Sequence, residues 1–69
     1  MTNKQIQRKT KEIMKANKLS ELTASLEIGI HRNTLHAFLI ATEAVEDLTI
    51  SKIEQWIINR AIIHIEDKP

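Results

Sequence analysis

Apolar side chains recur through residues 3–17 at Ile6, Ile13 and Met14, with Thr10 and Asn17 completing the same stripe. That spacing predicts an amphipathic helix with a narrow buried face and lysines over much of the remainder. Ser20 stands where a second helix would begin, because its hydroxyl can accept from a backbone N–H two or three residues on. This helix is expected to turn Leu22 and Leu26 inward. It should stop at Gly29, which enters the left-handed conformation without penalty. A third helix over residues 31–40 would bury Leu35, Phe38 and Leu39. Residues 42–47 read as a connection. Thr49 would cap a fourth helix carrying Ile50, Ile53 and Ile57 on one face, with Trp56 at its border as core or dimer surface. Residues 61–65 (Ala-Ile-Ile-His-Ile) fit two descriptions: a helix apolar nearly all round, or a β-branched strand with weak alternation.

Length sharpens this picture. Sixty-nine residues make one small domain, and 42% hydrophobic content is enough for a core. At this size burial leaves only about 3–5 kcal/mol of net stability. No cysteine is present for a disulfide, a zinc site or a thiol nucleophile. Self-association or a bound ligand is therefore expected to support the fold. The longest apolar run is residues 37–41, far short of the ~20 residues that cross a bilayer. The polar, basic start does not resemble a secretory signal, so a cytoplasmic location without membrane association is expected.

The formal charge of +1 conceals an asymmetry. Residues 1–40 hold seven basic side chains against three acidic ones, an excess of +4. Residues 41–69 hold three basic against six acidic, an excess of −3. Such a dipolar chain suits a polyanion on one side only.

The segment 21–38 meets the requirements for two short helices joined by a tight turn. Gly29 supplies the positive φ, Ile28 and Ile30 pin the turn to the core, and Ser25 is the small residue where the second helix crosses closely. Leu35 and Phe38 fall where the second helix must face the first. These residues resemble the helix-turn-helix of the phage repressor and Cro family of DNA-binding proteins. The resemblance is firm over residues 20–40 and extends more weakly through 48–57, covering roughly 38 of 69 residues. Two positions depart from the family's usual pattern. Ser25 stands where alanine is common, and Glu21 where glutamine is common, and a carboxylate there would repel a phosphate.

Setting aside Leu35, Phe38 and Leu39, the third helix presents His31, Arg32, Asn33, Thr34, His36, Ala37 and Ile40, a face without glutamate or lysine. The resemblance implies that this helix is the recognition helix lying in the major groove. Arg32, Asn33, His36 and Ala37 would then meet base edges, and Ser20, His31, Thr34, Lys15 and Lys18 would meet phosphates. It also implies a two-fold dimer with recognition helices about 34 Å apart. Ile57, Ile62, Ile63 and Ile65 are the candidate dimer contacts, since an isoleucine-rich end on so small a domain would leave apolar surface exposed.

Other chemistry finds little support. His31 and His36 are five residues apart and so turn to different sides of a helix, His64 is remote, and no metal-binding spacing occurs. No strained nucleophile turn or glycine-rich phosphate loop is present, and there is little room for a substrate cleft. The expectation is an all-α fold. Residues 1–60 would form a small four-helix, lambda-repressor-like helix-turn-helix domain, and 61–69 a tail that is either a short strand or a helix extension. The expected function is sequence-specific binding of double-stranded operator DNA by a nucleoid-associated repressor, without enzyme activity, cofactor, metal or small-molecule substrate. The competing expectations are a helical protein-interaction module of the antirepressor or antitoxin type, and a DNA-bending or recombination accessory factor.

Overall fold

The first helix, α1 (Asn3–Ala16), opens on a reciprocal cap: Thr2 Oγ1 accepts from the Gln5 N–H, and Gln5 Oε1 accepts from the Thr2 N–H. The computed structural model describes the backbone of residues 1–66 and the side chains of residues 1–60. At its far end α1 is closed by Lys18, which takes a left-handed φ of 54°. The Leu19 N–H reaches the Met14 carbonyl at 2.8 Å, and Leu19 and Met14 both pack against the core, which ties the exit of the helix to its own last turn. Asn17, placed in the buried stripe by the sequence pattern, is exposed and donates to the Ile13 carbonyl instead. The end of α1 needs that polar group more than the core needs its volume.

Helix α2 (Glu21–Ile28) is capped by Ser20, whose Oγ accepts from the Thr23 N–H at 3.1 Å. It ends at Gly29 with φ 90°, where the Gly29 and Ile30 N–H groups both donate to the Ser25 carbonyl. A Cβ on Gly29 would meet nothing within 4 Å. Gly29→Ala should therefore cost only the backbone penalty of the left-handed conformation, about 1–2 kcal/mol. The expected result is a lower urea midpoint with an unchanged slope.

Helix α3 (Arg32–Ile40) comes next, then a 3₁₀ turn (Thr42–Ala44) and α4 (Asp47–Glu66). The fourth helix begins two residues before Thr49, so the acidic Asp47 sits in its first turn, where the helix dipole favours negative charge. It runs without a break past residue 60 to Glu66. The backbone of 61–65 is therefore a helical extension and not a strand, and no element boundary falls at residue 60. The fold is all-helical, and no helix among the described residues is long and apolar enough to cross a membrane.

The core gathers one face of every helix: Ile6 from α1, Ala24 from α2, Leu35 and Phe38 from α3, and Ile50, Ile53, Trp56 and Ile57 from α4. Two buried hydroxyls avoid a desolvation penalty by donating within their own helices, Thr10 to the Ile6 carbonyl and Ser25 to the Leu22 carbonyl, each at 2.7 Å. Leu22 and Leu26 do not join this core; they are 51% and 72% exposed. At 100° per residue they share one face of α2, with Ala24 on the opposite face and Ser25 between the two, both small enough for the neighbouring helices to approach closely. Ile57, expected at a dimer contact, is 7% exposed and belongs to this monomer's core. Ile62, Ile63 and Ile65 lie outside the residues whose side chains are described.

A polar tie joins α2 to α4. Glu27 Oε1 accepts from Trp56 Nε1 at 3.1 Å and from Arg60 Nη2 at 2.7 Å, and the Arg60 guanidinium lies 5.2 Å from the centre of the Trp56 ring. The bond from Arg60, and after it the bond from Trp56, hold the Glu27 carboxyl below its ordinary value. A lowered folded pKa stabilises the protein above the unfolded value of about 4.3, and this contribution fades as pH falls through the folded value. Glu27→Gln should thus flatten the acid limb of a stability–pH curve while leaving its neutral shape unchanged. The effect is expected to stay below about 1 kcal/mol, because the pair is partly solvated.

Candidate nucleic-acid interface

The two faces of α3 (Arg32–Ile40) differ sharply. Leu35 and Phe38 are fully buried, and Leu39 packs against the core. Opposite them Arg32, Asn33 and His36 are exposed, and Thr34 and Ala37 are half-buried. The helix is held from behind by α1: Gln7 Nε2 donates to the Phe38 and Leu39 carbonyls at 2.9 and 3.3 Å. Two backbone acceptors near the end of α3, which lack intrahelical partners, are thereby satisfied. Nothing in the local sequence around Gln7 marks this role, since the bond spans 31 residues.

The exposed face of α3 lies between two shallow clefts. In one, Arg32, Asn33 and His36 meet Ser20, Glu21 and Leu22 at the start of α2. In the other, Asn33, Thr34 and Ala37 meet Ala44, Val45, Glu46 and Thr49. The first cleft brings together three of the four residues expected to meet bases with one of those expected to meet phosphate, Ser20. Ala37 turns to the second cleft, beside acidic Glu46. Lys15 and Lys18 are exposed at the end of α1 and in the turn leading to Ser20. No carboxylate among the described residues lies within salt-bridge distance of Lys15, Lys18 or Arg32.

The two histidines on this surface are used differently. His31 caps α3, its Nδ1 accepting from the Asn33 N–H at 3.0 Å. An accepting Nδ1 in a neutral ring leaves the proton on Nε2, so His31 offers an N–H donor outward. His36 Nδ1 instead faces both Glu21 oxygens, at 3.0 and 3.1 Å. Glu21, whose charge is out of place beside a phosphate, is thus engaged with a side chain of α3 fifteen residues away. The sequence shows its acidity and conceals its partner.

Among the described residues no group of three or more histidine, aspartate or glutamate side chains is arranged to hold a metal ion. Compared with known proteins, the chain matches no family model, no curated protein and no solved structure.

Proposed function

We propose that this protein is a sequence-specific regulator that binds double-stranded DNA through the exposed face of α3, in the manner of the phage repressor and Cro family its sequence resembles. The observation that carries the reading is the combination on that face. Arg32, Asn33 and His36 are exposed together, Arg32 has no carboxylate partner among the described residues, and the face lacks the glutamates and lysines of an ordinary solvated helix. Arginine and asparagine can each form two bonds to a base edge, to guanine and adenine respectively. Around them stand groups suited to phosphate: the start of α2 behind Ser20, the N–H of His31 and the half-buried Thr34 hydroxyl. Lys15 and Lys18, exposed at the end of α1 and in the turn after it, would add phosphate contacts. The role is binding and not catalysis, and occupancy of an operator would repress by excluding polymerase. Association as a two-fold pair belongs to the same reading. Half-site spacing near one helical turn of DNA, about 34 Å, would report it.

The test is selection of bound sites from a random duplex library at low salt, followed by titration with salt. Binding should weaken steeply as salt rises, because each neutralised phosphate releases counterions. An absence of binding to any duplex at low salt overturns the proposal. A second reading, a protein-interaction module, is favoured by one observation: Leu22 and Leu26 are both largely exposed on the outer face of α2.

A further inference from the structure

Resting on the DNA-binding reading, we propose that Glu21 is a positioning residue that fixes the protonation pattern of His36, making His36 a reader of the amino group on a base. An ionised carboxylate can only accept hydrogen bonds, and both Glu21 oxygens lie within 3.1 Å of His36 Nδ1. The ring proton of neutral His36 therefore resides on Nδ1. Nε2 is left with its lone pair as the outward group of a side chain that is 56% exposed. Among the described residues, the only other charged side chain lining this cleft is Arg32, one turn earlier on the same helix, which supplies donors and no acceptor. Arg32 and His36 are thus complementary readers. In the major groove, guanine offers acceptors to the arginine, whereas adenine N6 and cytosine N4 offer donors to the Nε2 lone pair.

The contrast with His31 makes the assignment specific. Five residues apart in one segment, His31 accepts at Nδ1 and His36 donates there, so one points an N–H outward and the other a lone pair. The first suits a phosphate oxygen and the second a base amine. Glu21 consequently does at a distance what a glutamine could not: a carboxamide presents both a donor and an acceptor, so it would leave the choice of tautomer open. On the contacted strand, the base opposite His36 should be adenine or cytosine in preference to guanine or thymine.

Two measurements on the full chain test this. Long-range proton–nitrogen spectra of the free protein, recorded at a pH where the ring signals themselves show both imidazoles neutral, should place the His36 proton on Nδ1 and the His31 proton on Nε2. In Glu21→Gln the His36 proton should shift toward Nε2 while His31 stays unchanged. Selection from a random duplex library should give the parent one position favouring adenine or cytosine by about fivefold, the worth of one net hydrogen bond. That preference should disappear in both Glu21→Gln and His36→Ala while any guanine preference set by Arg32 persists. A His36 proton found on Nε2 in the parent, or an amino-base preference that survives Glu21→Gln, overturns the proposal and leaves DNA binding standing. Failure of the parent to bind any duplex removes the base-reading role together with the DNA-binding reading, and the spectra distinguish that case because they require no DNA.

Discussion

Replacing Phe38 with alanine is expected to leave most of the protein unfolded in water at room temperature. Phe38 is the largest fully buried side chain and lies where α3 faces the other helices. Truncating a buried phenylalanine costs about 3–5 kcal/mol, through lost transfer energy and a residual cavity. A domain this small has about 3–5 kcal/mol to lose. The bond from the Gln7 side chain to the Phe38 carbonyl does not offset the loss, because it survives the substitution without filling the space. Circular dichroism with a urea titration would register the change as a transition beginning near zero denaturant. Leu26→Ala provides the matching control. The sequence pattern turns Leu26 inward, yet the side chain is 72% exposed, so its removal should stay within about 0.5 kcal/mol. A Leu26→Ala variant as unstable as Phe38→Ala would show that α2 is rotated from the orientation described.

On duplex DNA, Arg32→Ala is expected to weaken binding to the selected site by about 1–3 kcal/mol, or roughly 5- to 150-fold, and to relax the preference at one base pair. The size of the effect comes from the two parallel bonds a guanidinium makes to guanine, which no neighbouring side chain can replace. Arg32 is at the first turn of α3, exposed, and has no salt-bridge partner among the described residues, so its removal should leave folding intact. Lys15→Ala should behave differently. As a phosphate contact it should weaken all sequences alike and reduce the slope of log affinity against log salt by about one. Fluorescence anisotropy on the selected and a scrambled duplex, at several salt concentrations, separates the two patterns. If both variants bind both duplexes as the parent does, the placement of α3 in the groove is wrong.

Much of the scaffold behind these expectations is legible in the sequence because its causes are local. Ser20 caps α2, Gly29 ends it, and Leu35 and Phe38 point inward, each for reasons contained within about one helical turn of sequence. The spacing of Ser25 from Gly29 marks it as the close-contact residue, and it is 1% exposed. The start of α4 lies two residues ahead of Thr49: Val45 after the 3₁₀ segment is extended, and the Ile50 N–H already donates to the Glu46 carbonyl. The candidate site is legible as a set of exposed side chains on one helix, and illegible as a set of partnerships.

What the sequence determined by itself is the order of the helices, both ends of α2, the turn at Gly29, and the absence of lysine and glutamate from the outward face of α3; both ends of α4 were left to the structure. Only the tertiary structure decided which face of α2 is buried, that Ile57 belongs to the core, and which distant side chains meet: Gln7 with α3, Glu27 with Trp56 and Arg60, and Glu21 with His36. The physical reason is one of range. Caps and periodicity arise from hydrogen bonds and side-chain directions inside a single helix. The rotation of one helix against another depends on how closely small residues such as Ala24 and Ser25 let them approach, which is a property of the packed assembly.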